Sequence, residues 1–484
     1  MIAMTLPDIA AVVDGTVVND SGVTVHGPAF VDSRVAEQGG LFVAVVGEKV
    51  DGHDYADTAL RSGAAAVLSS RDTGRPGVLV ADPVAALARL ARHSLARLTG
   101  PTGLRVVALT GSQGKTSTKD VLAQVLAAGG RTVATHGSFN NELGLPLTVL
   151  RADTSTEHLV LEMGARHIGD LRASCDIAPP DVSLVLNVGK AHIGEFGSQE
   201  HIAQAKGEIV EALSESGVAV LNADDPLVRG VAGRTRGRVR TFGADPDADV
   251  RFDEVSVDDL GRPSFVLHVD GEQAQVSLGL VGEHHASNAA AAAAVALALG
   301  MRLDTVAGAL GSATATSRGR MEVWERDDGV TVVDDAYNAN PDSMRAALKA
   351  LAAIGRGRPG SRTVAVLGEM RELGESAREE HDAVGRLAVR LDIQQLLVVG
   401  EPAKPIHLGA SLEGSWGDES VFVPDNDAAT GWLEAHLVPG DVVLFKASNA
   451  ARLSEVARAV LHRGYRRGPD DEAGHPAPKE ESSR

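Results

Sequence analysis

A single cysteine, Cys175, in 484 residues excludes any disulfide framework within the chain and fits a reducing, cytoplasmic setting. Aromatic residues are scarce, with three Trp, three Tyr and nine Phe, whereas Ala, Gly and Val abound. With 44% apolar residues, this is the composition of a soluble α/β protein and not of a disordered one. No apolar run reaches membrane-spanning length without charge or glycine, and the run at 289–299 is too short, so no membrane insertion is expected. The opening stretch carries Pro7 and Asp8 and lacks a basic leader, so no signal peptide is expected. Basic charge is in deficit. The formal net charge of −19 argues against a nucleic-acid partner. Small anionic ligands remain open, because a lysine, helix N-termini and Mg²⁺ can reverse the field inside one cleft.

The length implies about three domains. Up to about Pro101, short strand-like runs accompany an Ala-Arg helix at 83–98, and residues 100–103 read as a linker. From Leu104, continuous apolar runs alternate with helical stretches, the pattern of a mostly parallel sheet covered on both faces. A break rich in Thr, Ser and Gly falls at 312–319, after which the alternation resumes as a second doubly wound unit. The expected domains are therefore 1–102, 103–316 and 317–467. The polar, aperiodic tail at 468–484 is expected to be disordered.

The sharpest local signal is Thr110-Gly111-Ser112-Gln113-Gly114-Lys115-Thr116-Ser117, between the apolar run 106–109 and a helical pattern through Val121, Leu122 and Val125. A strand, a glycine loop and a helix start make an anion cradle, since backbone N–H groups and the helix dipole both favour phosphate. Lys115 would meet the β/γ-phosphates of a nucleotide, and the Thr116 hydroxyl would ligate Mg²⁺. The spacing departs from G-x-x-x-x-G-K-[ST]: Leu109 stands at the first glycine position and two residues separate Gly111 from Gly114. A chance Gly-Ser turn with a helix-start lysine is the alternative.

Ligands of doubly wound sheets lie outside the carboxyl ends of the strands. Glu162 follows one apolar run, and Asn187 through His192 follow another. A carboxylate and an imidazole beside a triphosphate can serve Mg²⁺ directly or through water, but either residue alone also reads as structural. Lys206, within the helical stretch 200–213, reads by itself as a solvated surface charge. Asn288 reads as the N-cap of an alanine-rich helix. Asp334 and Asp335 end a strand, Asn340-Pro341 starts a helix, and Lys446 and Ser448 end another strand.

Taken together, these residues resemble the Mur ligases across nearly the whole chain apart from the tail. Asp32-Ser33-Arg34, residues 40–44 and residues 47–53 look like that family's uridine-nucleotide domain, and residues 110–117 look like its short phosphate loop. Residues 136–146, with Asn140-Asn141, resemble the stretch typical of the members that add D-alanyl-D-alanine. So do residues 334–341, 366–370 and 372–374. The resemblance implies an α/β protein of three domains: a central P-loop doubly wound sheet flanked by a small N-terminal uridine-nucleotide domain and a C-terminal Rossmann-like domain. It further implies that Glu162, His192 and Lys206 hold Mg²⁺ with Thr116, and that Lys206 is the lysine that related ligases carbamylate. Asn288 would contact adenine, Arg320 and Asp335 would reach the nucleotide from the last domain, and Ser33, Arg34, Asn140 and Asn141 would contact substrate. One departure is plain: where the family usually ends its last strand Lys-Gly-Ser-Arg, this chain has Lys446-Ala447-Ser448-Asn449, which removes a rigid bidentate donor.

The activity implied is ATP-dependent ligation of D-alanyl-D-alanine to UDP-N-acetylmuramoyl-tripeptide through an acyl phosphate, by a monomer in the cytoplasm. The alternatives are a sister ligase adding another amino acid and a non-catalytic nucleotide-binding scaffold. The joint presence of Lys115, Thr116, Glu162, His192 and Lys206 speaks against the scaffold.

Overall fold

The computed structural model describes residues 1–47, 49–100, 102–414 and 419–464, so the tail at 468–484 lies outside the described residues. The chain forms two compact units. One is Met1–Arg318 together with Glu372–Glu375, and the other holds the rest of the described chain from Gly319.

The first unit opens with a five-stranded sheet in the order Thr16–Val18, Gly77–Leu79, Ala66–Ser69, Leu41–Val43, Ala29–Phe30. Its strands are parallel except for the first pair. The helix Pro83–Thr99 begins where Asp82 accepts the N–H groups of Val84 and Ala85, with Pro83 at the first helical position. Leu87, Leu90, Ala91, Leu95 and Leu98 recur at three- and four-residue spacing and are buried, which gives the helix one apolar face.

A nine-stranded sheet follows. In chain order its strands are β1 (Arg105–Thr110), β2 (Thr132–Ala134), β3 (His158–Glu162), β4 (Val182–Val185), β5 (Val218–Asn222), β6 (Arg238–Gly243), β7 (Val250–Val257), β8 (Pro263–Val269) and β9 (Glu272–Ser277). In space they run β9-β8-β7-β6-β5-β4-β1-β3-β2. All neighbours from β2 to β7 are parallel, and β7, β8 and β9 are antiparallel. The helices used below are α1 (Lys115–Ala127), α2 (Gly144–Val149), α3 (Asp170–Ile177), α4 (Gln199–Glu211) and α5 (His285–Ala298).

β1 is apolar throughout because both of its faces are covered. Val106 and Ala108 join a core shared with the N-terminal helices, and Val107 and Leu109 join a second core beneath α5. Full burial of each such valine or leucine stabilises the fold by about 1.5–3 kcal/mol. The six alanines at 289–294 are all inaccessible, and their small side chains let α5 lie close against the sheet and α1. The antiparallel edge was not anticipated, although β8 carries its signal. Pro263, Phe265, Leu267 and Val269 are buried while the residues between them are half-exposed, the alternation of a sheet covered on one face.

The second unit has a six-stranded sheet of β10 (Glu322–Glu325), β11 (Thr331–Asp334), β12 (Thr363–Leu367), β13 (Gln395–Val399), β14 (Ser420–Val423) and β15 (Val442–Lys446), ordered β10-β11-β15-β12-β13-β14. Only β10 is antiparallel to its neighbour. Asn340 caps the helix Pro341–Gly357 as expected, its side chain accepting the Ser343 N–H.

Candidate active site

β1 ends at Thr110 and the chain turns into α1 through two glycines at which a side chain would crowd its neighbours. A Cβ on Gly111 would lie 2.9 Å from Cβ of Leu186. Gly114 has φ +76°, and a Cβ there would lie 2.9 Å from Oδ1 of Asn288. Asn288 therefore touches the loop. It is not the N-cap of α5, as its sequence position suggests, because the helix starts three residues earlier with His284 at the cap. Lys115, the first residue of α1, donates from Nζ to the carbonyl of Gly111 at 2.8 Å, and Thr116 is buried in the same turn, with Ser117 half-buried beside it.

Parallel pairing sets Glu162, the last residue of β3, opposite Leu109 of β1. Its side chain is buried at 1% exposure. One oxygen, Oε1, accepts the Asn140 amide at 2.7 Å, and the other, Oε2, is buried with no hydrogen-bond partner. Asn141 is placed differently: its Oδ1 accepts the N–H of Gly144, which opens α2.

Lys206 corrects the reading of a solvated surface charge. It lies at 3% exposure on the inward face of α4. Glu208, two residues on, is buried as well and accepts the N–H groups of Gly169 at 2.7 Å and Arg172 at 3.1 Å, tying α4 to the start of α3. Burial pushes the Lys206 amine well below its ordinary pKa, and the charge of Lys115 acts in the same direction. His192 follows β4 in a left-handed conformation, φ +60°, which costs a non-glycine residue on the order of 1 kcal/mol. Its Nδ1 pairs with Glu372, which belongs to the same unit. Burial lowers its pKa; Glu372 opposes that shift, while Lys115 and Lys206 add to it. Lys115, His192 and Lys206 are thus close enough to feel one another's charge. Glu372 and Asn187 had no assigned role in the sequence reading, and each is in contact with a predicted site residue.

The other expected contacts lie on other elements of the chain. Ser33 is buried in a short turn, and Arg34 extends into solvent with its guanidinium on Asp32 at 2.8 Å. In the second unit, Arg320 stacks over the Tyr337 ring at 4.4 Å. Both Asp335 oxygens are engaged, one by Lys446 Nζ at 2.6 Å and one by the N–H of Met321 at 3.2 Å.

Three family models match the chain: the Mur ligase family catalytic domain at 29–94, the Mur ligase middle domain at 109–296 and the glutamate ligase domain of Mur ligases at 319–449. The UDP-N-acetylmuramoyl-tripeptide–D-alanyl-D-alanine ligase of Mycobacterium tuberculosis is 48% identical over 95% of this chain and 98% of its own length. The chain belongs to the Mur ligase family. The Escherichia coli ligase of the same name is 34% identical over 96% of this chain and all of its own. Among solved structures, MurF from Acinetobacter baumannii superposes with a TM-score of 0.83 at 30% identity, covering 95% of this chain and 99% of that one. A MurF ligase from Thermotoga maritima in complex with ADP gives 0.75 at 33% identity, covering 90% and 98%. This ligase is accordingly an ATP-dependent, amide-forming enzyme of three family domains.

The residues present fit magnesium. Among the described residues no group of three or more His, Cys, Asp or Glu could hold a metal by itself. Mg²⁺ needs no such cage, since it is commonly held by one or two carboxylates together with phosphate oxygens and water. The orphaned Oε2 of Glu162, buried at the strand end beside the phosphate loop, is the kind of oxygen such an ion satisfies. No described helix is long and apolar enough to cross a membrane.

Proposed function

We propose that this ligase uses ATP to join D-alanyl-D-alanine to the terminal carboxylate of UDP-N-acetylmuramoyl-tripeptide, releasing ADP and phosphate, in the cytoplasmic synthesis of peptidoglycan precursors. The observation that carries the chemistry is the juxtaposition of a glycine phosphate loop with a buried, half-satisfied carboxylate at the neighbouring strand end. The substrates are those named for relatives 48% identical over 95% of the chain.

The acceptor carboxylate attacks the γ-phosphate, forming an acyl phosphate and releasing ADP. The deprotonated amine of the dipeptide then attacks the acyl carbon, the amide bond forms, and inorganic phosphate leaves. Both reactants of the first step are anions, so their approach requires fixed positive charge. Lys115 supplies one such charge and the N-terminal dipole of α1 a partial one. Glu162, His192, Lys206 and Thr116 would hold Mg²⁺, which when bound neutralises charge on the transferring phosphate. Burial shifts Lys206 toward the neutral amine, the form able to take up CO₂ and become a carbamate, as in related ligases. Asn288, touching Gly114, is suited to the base or ribose of the nucleotide. Ser33, Arg34, Asn140 and Asn141 are assigned to substrate, with Asn140 acting at least in part through Glu162.

The test is phosphate release with ATP, a panel of UDP-muramoyl peptides and alternative amines, with product masses recorded. Release that needs both the tripeptide precursor and D-alanyl-D-alanine, with the ligated mass appearing, supports the proposal. A mass corresponding to another amino acid would move the chain to a sister activity. ATP binding without coupled release would make it a scaffold.

A further inference from the structure

We propose that Asn187 is the positioning residue for the triphosphate: it locks the phosphate loop in shape from the neighbouring strand end, on the reading of that loop given above. Asn187 lies just past β4, half-buried. Its Oδ1 accepts two loop amides, the N–H of Ser112 at 2.9 Å and that of Gln113 at 3.0 Å. Its Nδ2 returns a hydrogen bond to the carbonyl of Gln113 at 3.2 Å. Its backbone carbonyl also accepts from the Ser112 N–H at 3.1 Å, and the N–H of Gly189 donates to Ser112 Oγ at 2.9 Å. Residues 187–189 and 111–113 are thereby joined at both the backbone and side-chain level.

The clamp is itself held from the far side. Asn222, at the end of β5, donates to the carbonyl of Leu186 at 2.8 Å, and Asp225 accepts the N–H of Val188 at 2.8 Å. Three strand ends are thus linked in series, β5 to β4 to β1. A primary amide suits the central place because Ser112 and Gln113 offer N–H groups while Gln113 also offers a carbonyl, and one Asn side chain meets both demands at once. An aspartate there would set a carboxylate oxygen against that carbonyl and add a negative charge beside the phosphates. The same turn continues to His192, so a loose Asn187 position would disturb the phosphate loop and the imidazole together.

The test compares Asn187→Asp and Asn187→Ala with wild type, measuring ADP affinity by calorimetry, affinity for the uridine-nucleotide precursor, and thermal melting. Both variants should weaken ADP binding by more than about tenfold. Precursor affinity should stay within about twofold, a split that general loosening of the fold would not give. Asn187→Asp, nearly isosteric, decides the matter if the alanine variant fails to fold. Unchanged ADP affinity in a folded variant overturns the proposal, as does a parallel loss of both affinities. Wild-type protein that binds no ADP would remove both this proposal and the reading of the loop.

Discussion

The side-chain amide of Asn140 sits 2.7 Å from one oxygen of Glu162, whose other oxygen is buried without a partner. Asn140 thus holds one half of a carboxylate whose other half is left for a ligand from outside the chain. Asn140→Ala removes the hold, and a buried oxygen stripped of its partner is costly. We expect turnover to fall by about tenfold to a hundredfold, with the loss partly recovered at high Mg²⁺. Initial rates across a magnesium titration check this; a variant as fast as wild type at every concentration would contradict it.

Lys206 is held where its charge is unwelcome, since burial and Lys115 both favour the neutral amine. Lys206→Met keeps an unbranched apolar chain and removes the amine. Ligation should drop by at least about a hundredfold, while the melting temperature rises by about 2–4 °C in metal-free buffer. Lost activity with a lowered melting temperature would mark Lys206 as structural.

Asp334 gives a pH dependence of stability. Burial raises its carboxyl pKa above the ordinary 3.8, against the N–H of Ala336 and the hydroxyl of Ser454, which both donate to Oδ1. The native state therefore binds more protons than the unfolded state between 3.8 and the raised value, and this group's contribution to stability falls as pH rises through that window. Asp334→Asn keeps the acceptor and removes the charge. Its urea midpoint should exceed that of wild type at pH 7.5, and the gap should shrink at pH 4.

Burial pushes the Cys175 thiol up to about 12, and its sulfur packs 3.9 Å from that of Met163. At pH 8 the native thiolate fraction is on the order of one in ten thousand. Labelling by a thiol reagent should be slow and should track unfolding, and fast stoichiometric labelling of native protein would contradict the burial.

Several features were legible because local chemistry determines them. Asn340-Pro341 could hardly do anything but start a helix, and the run 106–109 followed by Gly111 and Gly114 specifies strand, loop and helix. Asp335 was found as a strand-end acid, but its pairing with Lys446 joins residues 111 positions apart and has no local signature. Lys206 shows the same limit more sharply. A lysine on a helix reads as solvated until the fold shows which face turns inward, and only the resemblance marked it out. Asn187 is legible as a strand-end residue, but its hold on the phosphate loop has no local signature, since its partners lie 74 and 75 positions away in the sequence. Asn288 was misplaced by three residues because an N-cap and a first-turn asparagine look alike in an alanine-rich stretch.

The most direct measurement is phosphate release by Lys115→Ala, run beside wild type with ATP, UDP-N-acetylmuramoyl-tripeptide and D-alanyl-D-alanine. Release should fall by at least about a thousandfold, while affinity for the uridine-nucleotide precursor stays within about twofold. Turnover at the wild-type rate would contradict the placement of the triphosphate where β1 gives way to α1.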